Sequence, residues 1–489
     1  MFLHGKDRRL IVVSNRLPFS RYENENGEVK WEKASGGLIT ALEPILYDLD
    51  GIWLGWDGHS AEQSGEERSR LFSVKEIPQP SNVKLEEGKD YKIGCVPIKE
   101  DEVESYYNRF SNGTLWALFH YFFEKSHIDL SDWKTYCQVN ERFAQYIDDI
   151  AREDDVIWIQ DFHLMMTPFY LRQLRPRQEI HFFLHTPFPH TDILSILPWQ
   201  DDLLGSLLCC DTVGFHHKQY LKNFLTAVDV LKRSREVPGE ETAGDRGPLT
   251  YANPISIDFK LVDRTSREPA VIERKNEIRK KIASPKMILG VDRIDYSKGI
   301  RRRLRGIEHL IKTHPEVQGE FFYYQLVIPS REGVDAYKSL KKEIDELIGR
   351  INGKFATGLW MPIHYNYGTV PFAELVALYL AADIGLVTPL RDGMNLVCKE
   401  YIAAHSDNDG VLILSKFAGA VAEIKNCLAV NPYNIEEIGD AIYRALVMDE
   451  TERKRRMKKM RKNIGSNDIG KWLEKCLNYF EQARGERKK

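Results

Sequence analysis

The chain has 489 residues, of which 43% are hydrophobic and 29% charged, with a formal net charge of −3. That length exceeds one ordinary domain, and that composition is the composition of a globular protein that dissolves in water. The nearly balanced charge gives no general attraction to nucleic acid or to a membrane surface. Seven cysteines are scattered along the chain without a CxxC pair, so neither a disulfide framework nor a zinc site is expected. A reducing, cytoplasmic compartment fits. No apolar run reaches the ~18 residues of a membrane helix, and Met1–Leu10 lacks the apolar core and cleavage site of a secretory leader.

In chain order, Arg9–Val13 (RLIVV) is a short buried strand that carries Arg16 just past its carboxyl end. Tyr22–Lys33 is polar and reads as a hairpin or loop. Ala34-Ser35-Gly36-Gly37-Leu38 is a glycine turn opening a helix over Ile39–Tyr47, suited to close approach by a phosphate or sugar but lacking the GxGxxG of a dinucleotide site. Gly51–Gly58 (GIWLGWDG) is a strand, and Lys84–Asp90 a charged loop. The aromatic-dense Tyr106–His120 stretch is helical in pattern, with most of its rings assigned to the core. Strands follow at Asp155–Ile159, Glu179–Leu184 and Thr212–Phe215, ending in Asp161, His185 and a helix over Gln219–Leu231. Strand and helix alternate, which implies a parallel sheet with right-handed crossovers.

Lys232–Gly247 is charged and contains Pro238, Gly239 and Gly244, so it is the linker candidate. A second alternating series has expected strands at Met287–Val291, Phe321–Ile328, Leu359–Ile363, Ile384–Val387 and Val411–Leu414. The basic runs Arg301–Arg305 and Arg453–Lys462 lie on helical patterns and read as solvated faces. The stripe Trp472, Leu473, Cys476, Leu477 and Phe480 marks a final helix that packs on the body.

Chemistry gathers at strand ends. Leu386–Tyr401 (LVTPLRDGMNLVCKEY) is strand, tight turn, then a helical pattern from Met394. The carboxyl end of a strand in an open α/β sheet is where ligands sit, and a helix's first N–H groups suit an anion. Backbone groups of Met394, Asn395 and Leu396 could therefore hold a phosphate, with Gly393 allowing close approach. Asp392 could accept from sugar hydroxyls and Glu400 from a ribose. Taken alone, an Asp-Gly pair is more often a capped turn. Arg293 and Lys298, five residues apart after another strand, could neutralise a diphosphate, or else pair internally with Asp292 and Asp295. Asp407-Asn408-Asp409 has D-x-D form but sits in a polar turn. His185, His190, His216 and His217 form no recognised ligand set, so no metal and no cofactor is assigned.

With these residues in place, the chain resembles the trehalose-6-phosphate synthase family of retaining glycosyltransferases. The resemblance runs from Arg9 to about Met448 through VVSNRLP, ASGGL, YYNRFSNGTLW, QDFHL, FFLHTPFP, GVDRIDYSKG, GRING and RDGMNLVCKEY. It implies an α/β fold of GT-B architecture, in which two facing Rossmann-like domains with parallel sheets enclose the active site. The implied domains are 1–245 for the acceptor and 246–465 for the nucleotide sugar, with 466–489 returning to the first. By the same resemblance, Arg293 and Lys298 hold the donor diphosphate, and the Met394–Leu396 amides its distal phosphate. Glu400 holds the ribose, Asp392 and His185 the transferred glucose, and Gly37 lies over the donor. Arg16, Tyr107 and Arg331 meet the acceptor phosphate, while Trp116, Asp161 and Trp56 meet its ring and hydroxyls. Asp161, His185, Arg293, Lys298 and Asp392 are the catalytic set.

The family reading expects two small-molecule partners, a nucleotide-sugar donor and a sugar-phosphate acceptor, and is compatible with a homo-oligomer. Trp199 and Cys209-Cys210-Asp211 are similar to the related glucosylglycerol-phosphate synthases, whose acceptor is glycerol 3-phosphate. Ser256 stands where the family has a glycine. Glucosyl transfer to glucose 6-phosphate is the first reading, transfer to glycerol 3-phosphate the second, and a silent sugar-phosphate sensor the third. UDP, ADP and GDP donors all remain open, since base recognition in such folds is largely by backbone.

Overall fold

Leu10–Arg16 forms strand β1 because its aliphatic and β-branched run is buried on both faces as far as Asn15, while Arg16 emerges exposed at its end. The computed structural model describes residues 8–23, 28–33, 37–61, 71–77, 90–235, 247–281, 285–330, 335–358 and 360–487. The chain divides into two units, one of 1–253 with 472–489 and the other of 254–471.

In the first unit, β2 (Phe19–Glu23) and β3 (Val29–Lys33) form an antiparallel hairpin. Beyond the helix Gly37–Asp48 come β4 (Ile52–Trp56), β5 (Ser60–Ala61), β6 (Leu71–Ser73), β7 (Lys92–Cys95) and β8 (Ile98–Lys99). They are followed by β9 (Val156–Gln160), β10 (Glu179–Leu184), β11 (Thr212–Phe215) and β12 (Leu249–Ala252). The main sheet runs β12-β11-β10-β9-β1-β4-β7-β6 and is parallel except for β6 against β7. From β1 the chain builds outward through β4 and β7, then returns to build the other half from β9. The strand order therefore reverses between β1 and β9, where an open α/β sheet leaves a crevice at its carboxyl edge. The final helix, Ile469–Arg487, packs on this unit: Trp472 stacks on Trp158 at 5.5 Å and Phe480 on His181 at 3.6 Å.

The second unit carries β13 (Lys286–Arg293), β14 (Phe321–Ile328), β15 (Ile363–Tyr367), β16 (Ile384–Val387), β17 (Val411–Ser415) and β18 (Leu428–Val430). Its order, β15-β14-β13-β16-β17-β18, is wholly parallel and reverses between β13 and β16. Helix Ile300–Thr313 covers the sheet with Ile300, Leu304, Ile307 and Ile311, an i, i+4, i+7, i+11 stripe fully or almost fully buried.

Several expectations are corrected. Arg303 is not on a solvated face: it falls on the inner stripe of its helix, is fully buried, and pairs with Asp292. The basic run 453–462 is solvated only in part, since Met457 and Met460 are buried and Arg461 pairs with Asp263. The strand expected at Leu359–Ile363 begins at Ile363, and Leu359 lies outside the described residues. Helix Val397–Ala404 starts three residues later than its pattern suggests, because Asn395 takes a left-handed φ of 72°. The aromatic-dense stretch is helical as expected, as a π-helix over Val103–Leu115 that continues into an α-helical turn over Trp116–Phe119. Of the linker candidate, Lys232–Arg235 continues helix Lys218–Arg235, and 236–246 lie outside the described residues, as do 84–89 of the charged loop.

Candidate active site

At the β1/β9 reversal of the first unit, three sequence-selected residues meet. Arg16 leaves the end of β1 and lays its guanidinium over Trp56, 4.1 Å from the ring centroid, with Tyr107 at 5.6 Å. Trp56 and Tyr107 pack edge to face at 5.8 Å, and the Trp56 indole N–H is anchored on the His59 carbonyl at 2.7 Å. Gly58 makes room for this arrangement: its φ is 94°, and an added Cβ would fall 1.9 Å from Arg16 Nη1. The π-helix sets Tyr106 and Tyr107 to different tasks. Tyr106 is buried and donates to Asn15 Oδ1 at 2.8 Å, while Tyr107 faces Arg16 and stacks on His163 at 5.8 Å. Asn112 Nδ2 reaches back to the Tyr107 carbonyl at 2.8 Å and holds that turn. Cationic and aromatic faces with one exposed guanidinium suit a phosphorylated, hydroxyl-rich ligand.

Asp161 follows β9 with a left-handed φ of 69°, which turns its carboxylate back to accept the His185 N–H at 3.1 Å. Phe162, next in the chain, contacts Trp116 at 5.7 Å between centroids. His185 follows β10. Its Nε2 faces Gln160 Oε1 at 2.9 Å and its Nδ1 faces His216 Nε2 at 3.2 Å, so both ring nitrogens have protein partners. An amide oxygen only accepts, so Nε2 carries the proton and Nδ1 accepts from His216. Burial pushes the His185 imidazole down to about 3, so it is neutral at physiological pH. Gly37 opens helix Gly37–Asp48, and the turn before it lies outside the described residues, as does Arg331.

At the β13/β16 reversal of the second unit, Arg293 is exposed at the end of β13 and Lys298 follows in a short 3₁₀ turn. Lys298 Nζ meets Asp392 Oδ2 at 2.6 Å. The expected internal pairs with Asp292 and Asp295 are not the ones formed by Lys298: Asp292 serves Arg303, and Asp295 accepts from Ser297 N at 2.8 Å. Asp392 Oδ1 also accepts from Met394 N at 3.2 Å and Oδ2 from Asn395 Nδ2 at 3.1 Å. Asn395 Oδ1 in turn takes Cys398 N at 3.1 Å. The N–H groups of Asn395, Leu396 and Val397 are left without an acceptor among the described residues, ahead of the positive end of helix Val397–Ala404. Gly393 lies so close to Gly419 that a Cβ on Gly419 would come 2.1 Å from the Gly393 carbonyl oxygen. Further along, the Glu400 carboxylate accepts from Tyr379 OH at 2.7 Å, and burial raises it above the usual carboxylate range. One of its oxygens remains to receive a hydroxyl.

Other candidates have structural roles. Asp409 is paired with Arg453 at 2.7 Å, and Asp407 caps the turn by accepting Asp409 N at 3.0 Å. Trp199 stacks on Trp133 at 5.1 Å with 7° between planes, while Asp211 pairs with Arg172 and caps Ile180 N. Ser256 is fully buried. Sequence reasoning missed Gln160, His163, His216 and Tyr379. Gln160 and His163 flank Asp161 in a motif already singled out, but nothing in the sequence assigns them as partners of His185 and Tyr107.

Two α/β units, one on a largely parallel and one on a wholly parallel sheet, each with a topological switch point, and the likeness to solved trehalose-phosphate synthases define a protein of the GT-B class. The chain belongs to glycosyltransferase family 20, which it matches over residues 8–482. It is 37% identical to the trehalose-6-phosphate synthase of Mycobacterium ulcerans, covering 98% of this chain and 95% of that one. Among solved structures it is similar to an α,α-trehalose-phosphate synthase (UDP-forming) from Burkholderia xenovorans in complex with glucose-6-phosphate, with TM-score 0.84, 32% identity and 97% and 100% of the two chains covered. A structure from E. coli bound with UDP-2-fluoro glucose matches with TM-score 0.84 and 33% identity over 97% and 99% of the chains. The chain spans only 66% and 62% of the length of two other curated relatives. Among the described residues, no helix is long and apolar enough to cross a membrane.

Proposed function

We propose that this glycosyltransferase moves glucose from a nucleotide-glucose, UDP-glucose first among them, to glucose 6-phosphate, giving trehalose 6-phosphate with retention of the α-configuration. The observation that carries the reading is the Lys298–Asp392 pair at the β13/β16 switch point, 2.6 Å long and set before three backbone N–H groups that have no acceptor among the described residues. A lysine ammonium has three N–H donors, and Asp392 uses one. The others, with Arg293 and the N–H groups of Asn395 and Leu396, are suited to a diphosphate. Asp392 and His185 attend the transferred glucose, Glu400 the ribose, and Gly37 the donor's outer side. Arg16, Tyr107 and Arg331 take the acceptor phosphate, and Trp56, Trp116 and Asp161 its sugar.

No carboxylate in this set is assigned as a nucleophile, and a same-face transfer suits the reading: a departing diphosphate oxygen takes the proton of the incoming hydroxyl. The protein's share is positioning and stabilisation of charge on the leaving group. A preorganised guanidinium, ammonium and helix terminus neutralise that charge without a metal ion. The enzyme is assigned to the cytoplasm, with homo-oligomerisation left to hydrodynamic measurement. The test is release of nucleoside diphosphate in a panel of UDP-, ADP- and GDP-glucose against glucose 6-phosphate and glycerol 3-phosphate. Turnover is expected with glucose 6-phosphate. Preference for glycerol 3-phosphate would transfer the assignment to glucosylglycerol-phosphate synthesis, and tight glucose 6-phosphate binding without any turnover would leave a sensor.

A further inference from the structure

Beneath the donor loops of the second unit lies a charged network that the reaction itself does not call upon. Arg303, on helix Ile300–Thr313, is fully buried. Its Nε donates to Thr388 Oγ1 at 3.0 Å, its Nη2 to the Lys298 carbonyl at 3.3 Å, and its Nη1 to Asp292 and to Gln325 Oε1, the latter at 3.1 Å. These acceptors are not a random set. Asp292 precedes Arg293, Lys298 is itself a proposed diphosphate group, and Thr388 lies four residues before Asp392.

The two turns are also pressed together at the backbone. Leu390 N donates to Ser297 O at 2.7 Å, and Gly299, with φ 70°, comes so close that a Cβ would lie 2.7 Å from the Thr388 carbonyl oxygen. One planar guanidinium therefore ties together the ends of two neighbouring strands whose loops supply the opposite partners of the 2.6 Å Lys298–Asp392 pair.

We propose that Arg303 is a positioning residue for the donor: it sets the spacing between the Lys298 and Asp392 loops without touching the substrate. This rests on the reading that the second unit binds a nucleotide sugar. A lysine at 303 retains the charge opposite Asp292 but has neither the reach nor the fork geometry to bond Thr388 and the Lys298 carbonyl together. A small displacement of reacting groups costs far more in rate than in stability.

The test uses the full chain carrying Arg303→Lys and, separately, Thr388→Val, which deletes only the Nε acceptor. Initial rates are measured with each substrate varied in turn, and UDP binding by calorimetry. Arg303→Lys is expected to weaken UDP binding and raise the donor KM by about tenfold, lower kcat, and leave the acceptor KM within about twofold. Thr388→Val should reproduce that split at about threefold, and decides alone should Arg303→Lys not fold. Unchanged UDP affinity in both variants, beside a wild type that binds UDP, would overturn the role of Arg303 only. Equal loss for donor and acceptor with a lowered Tm would reduce Arg303 to a structural residue. Should the wild type bind ADP or GDP in place of UDP, the same comparison is made with that nucleotide; a wild type that binds none of the three would remove the donor reading and this inference with it.

Discussion

The two switch points solve related problems with different materials. In the first unit, the exposed Arg16 rests on aromatic faces, 4.1 Å from Trp56 and 5.6 Å from Tyr107, and Gly58 gives it space. In the second, Lys298 and Asp392 are bound into the fold: Lys298 on Asp392, Asp392 on Met394 N and Asn395, and both turns on Arg303 and on each other. A cation on a π-face keeps freedom to swing toward a terminal phosphate, whereas an ion pair crossed by backbone bonds fixes where charge can be received. The contrast teaches which substrate each region suits. On the proposed reading, a leaving diphosphate is best met by preorganised charge as its bond breaks, which the crossed network of the second unit suits. On the same reading the acceptor's phosphate is remote from the reacting hydroxyl, and an adjustable grip is enough.

The comparison breaks first at Asp392. Replacing it with alanine frees Lys298 and Met394 N and removes the proposed sugar contact, so kcat/KM should fall by about a thousandfold. Steady-state kinetics check this, and a loss below tenfold would mean that the rigid network is not the catalytic one. In the first unit the expected effect is smaller. Gly58→Ala puts a side chain where Arg16 Nη1 now lies and strains a φ of 94°. The acceptor KM should rise by about tenfold with the donor KM unchanged; an unchanged acceptor KM would show that the placement of Arg16 does not matter.

A milder effect concerns His185. With the imidazole held near 3 by burial and an unfolded value near 6.5, the unfolded chain takes up a proton below pH 6.5 that the native state refuses. This contribution is fully present above 6.5 and is lost as pH falls through the window toward 3. Urea midpoints at pH 7, 5.5 and 4.5 should therefore fall less steeply in His185→Gln than in wild type, and parallel slopes would contradict the neutral, enclosed histidine. The smallest expected effect is none: with Arg293, Lys298 and the helix terminus meeting the diphosphate, EDTA should leave turnover intact. Loss of activity in EDTA with recovery in Mg²⁺ would return Asp407 and Asp409 to consideration.

Local patterns made legible the strands that end in candidate residues, β1, β9, β10, β13 and β16, but not the short strands β7, β12 and β18, and they placed β15 too early. Arg16, Asp161, His185, Arg293 and Asp392 all follow short apolar runs, and their neighbourhood needs no tertiary information. Strand order was not legible, because the reversals between β1 and β9 and between β13 and β16 are long-range pairings that composition does not encode. Nor was the burial of Arg303. A basic run on a helix reads as solvated until the inner stripe is fixed, and only the pairing of β13 with β14 brings Asp292 and Gln325 together under it. Helix Val397–Ala404 starts late for a local reason that propensity underweights: Asn395 can adopt φ 72° and cap Cys398 with its own side chain. The missed partners Gln160 and His216 come from different strand ends and meet only around His185.

The division of labour between the two units is tested most directly by binding, free of chemistry. Calorimetric titration of UDP and of glucose 6-phosphate into wild type, Lys298→Ala and Arg16→Ala separates the two regions. Lys298→Ala should lose UDP affinity by about ten- to a hundredfold and keep glucose 6-phosphate, and Arg16→Ala should do the reverse. Either variant weakening both ligands equally, or each weakening the other's ligand, would contradict the assignment of the donor to the second unit and the acceptor phosphate to the first.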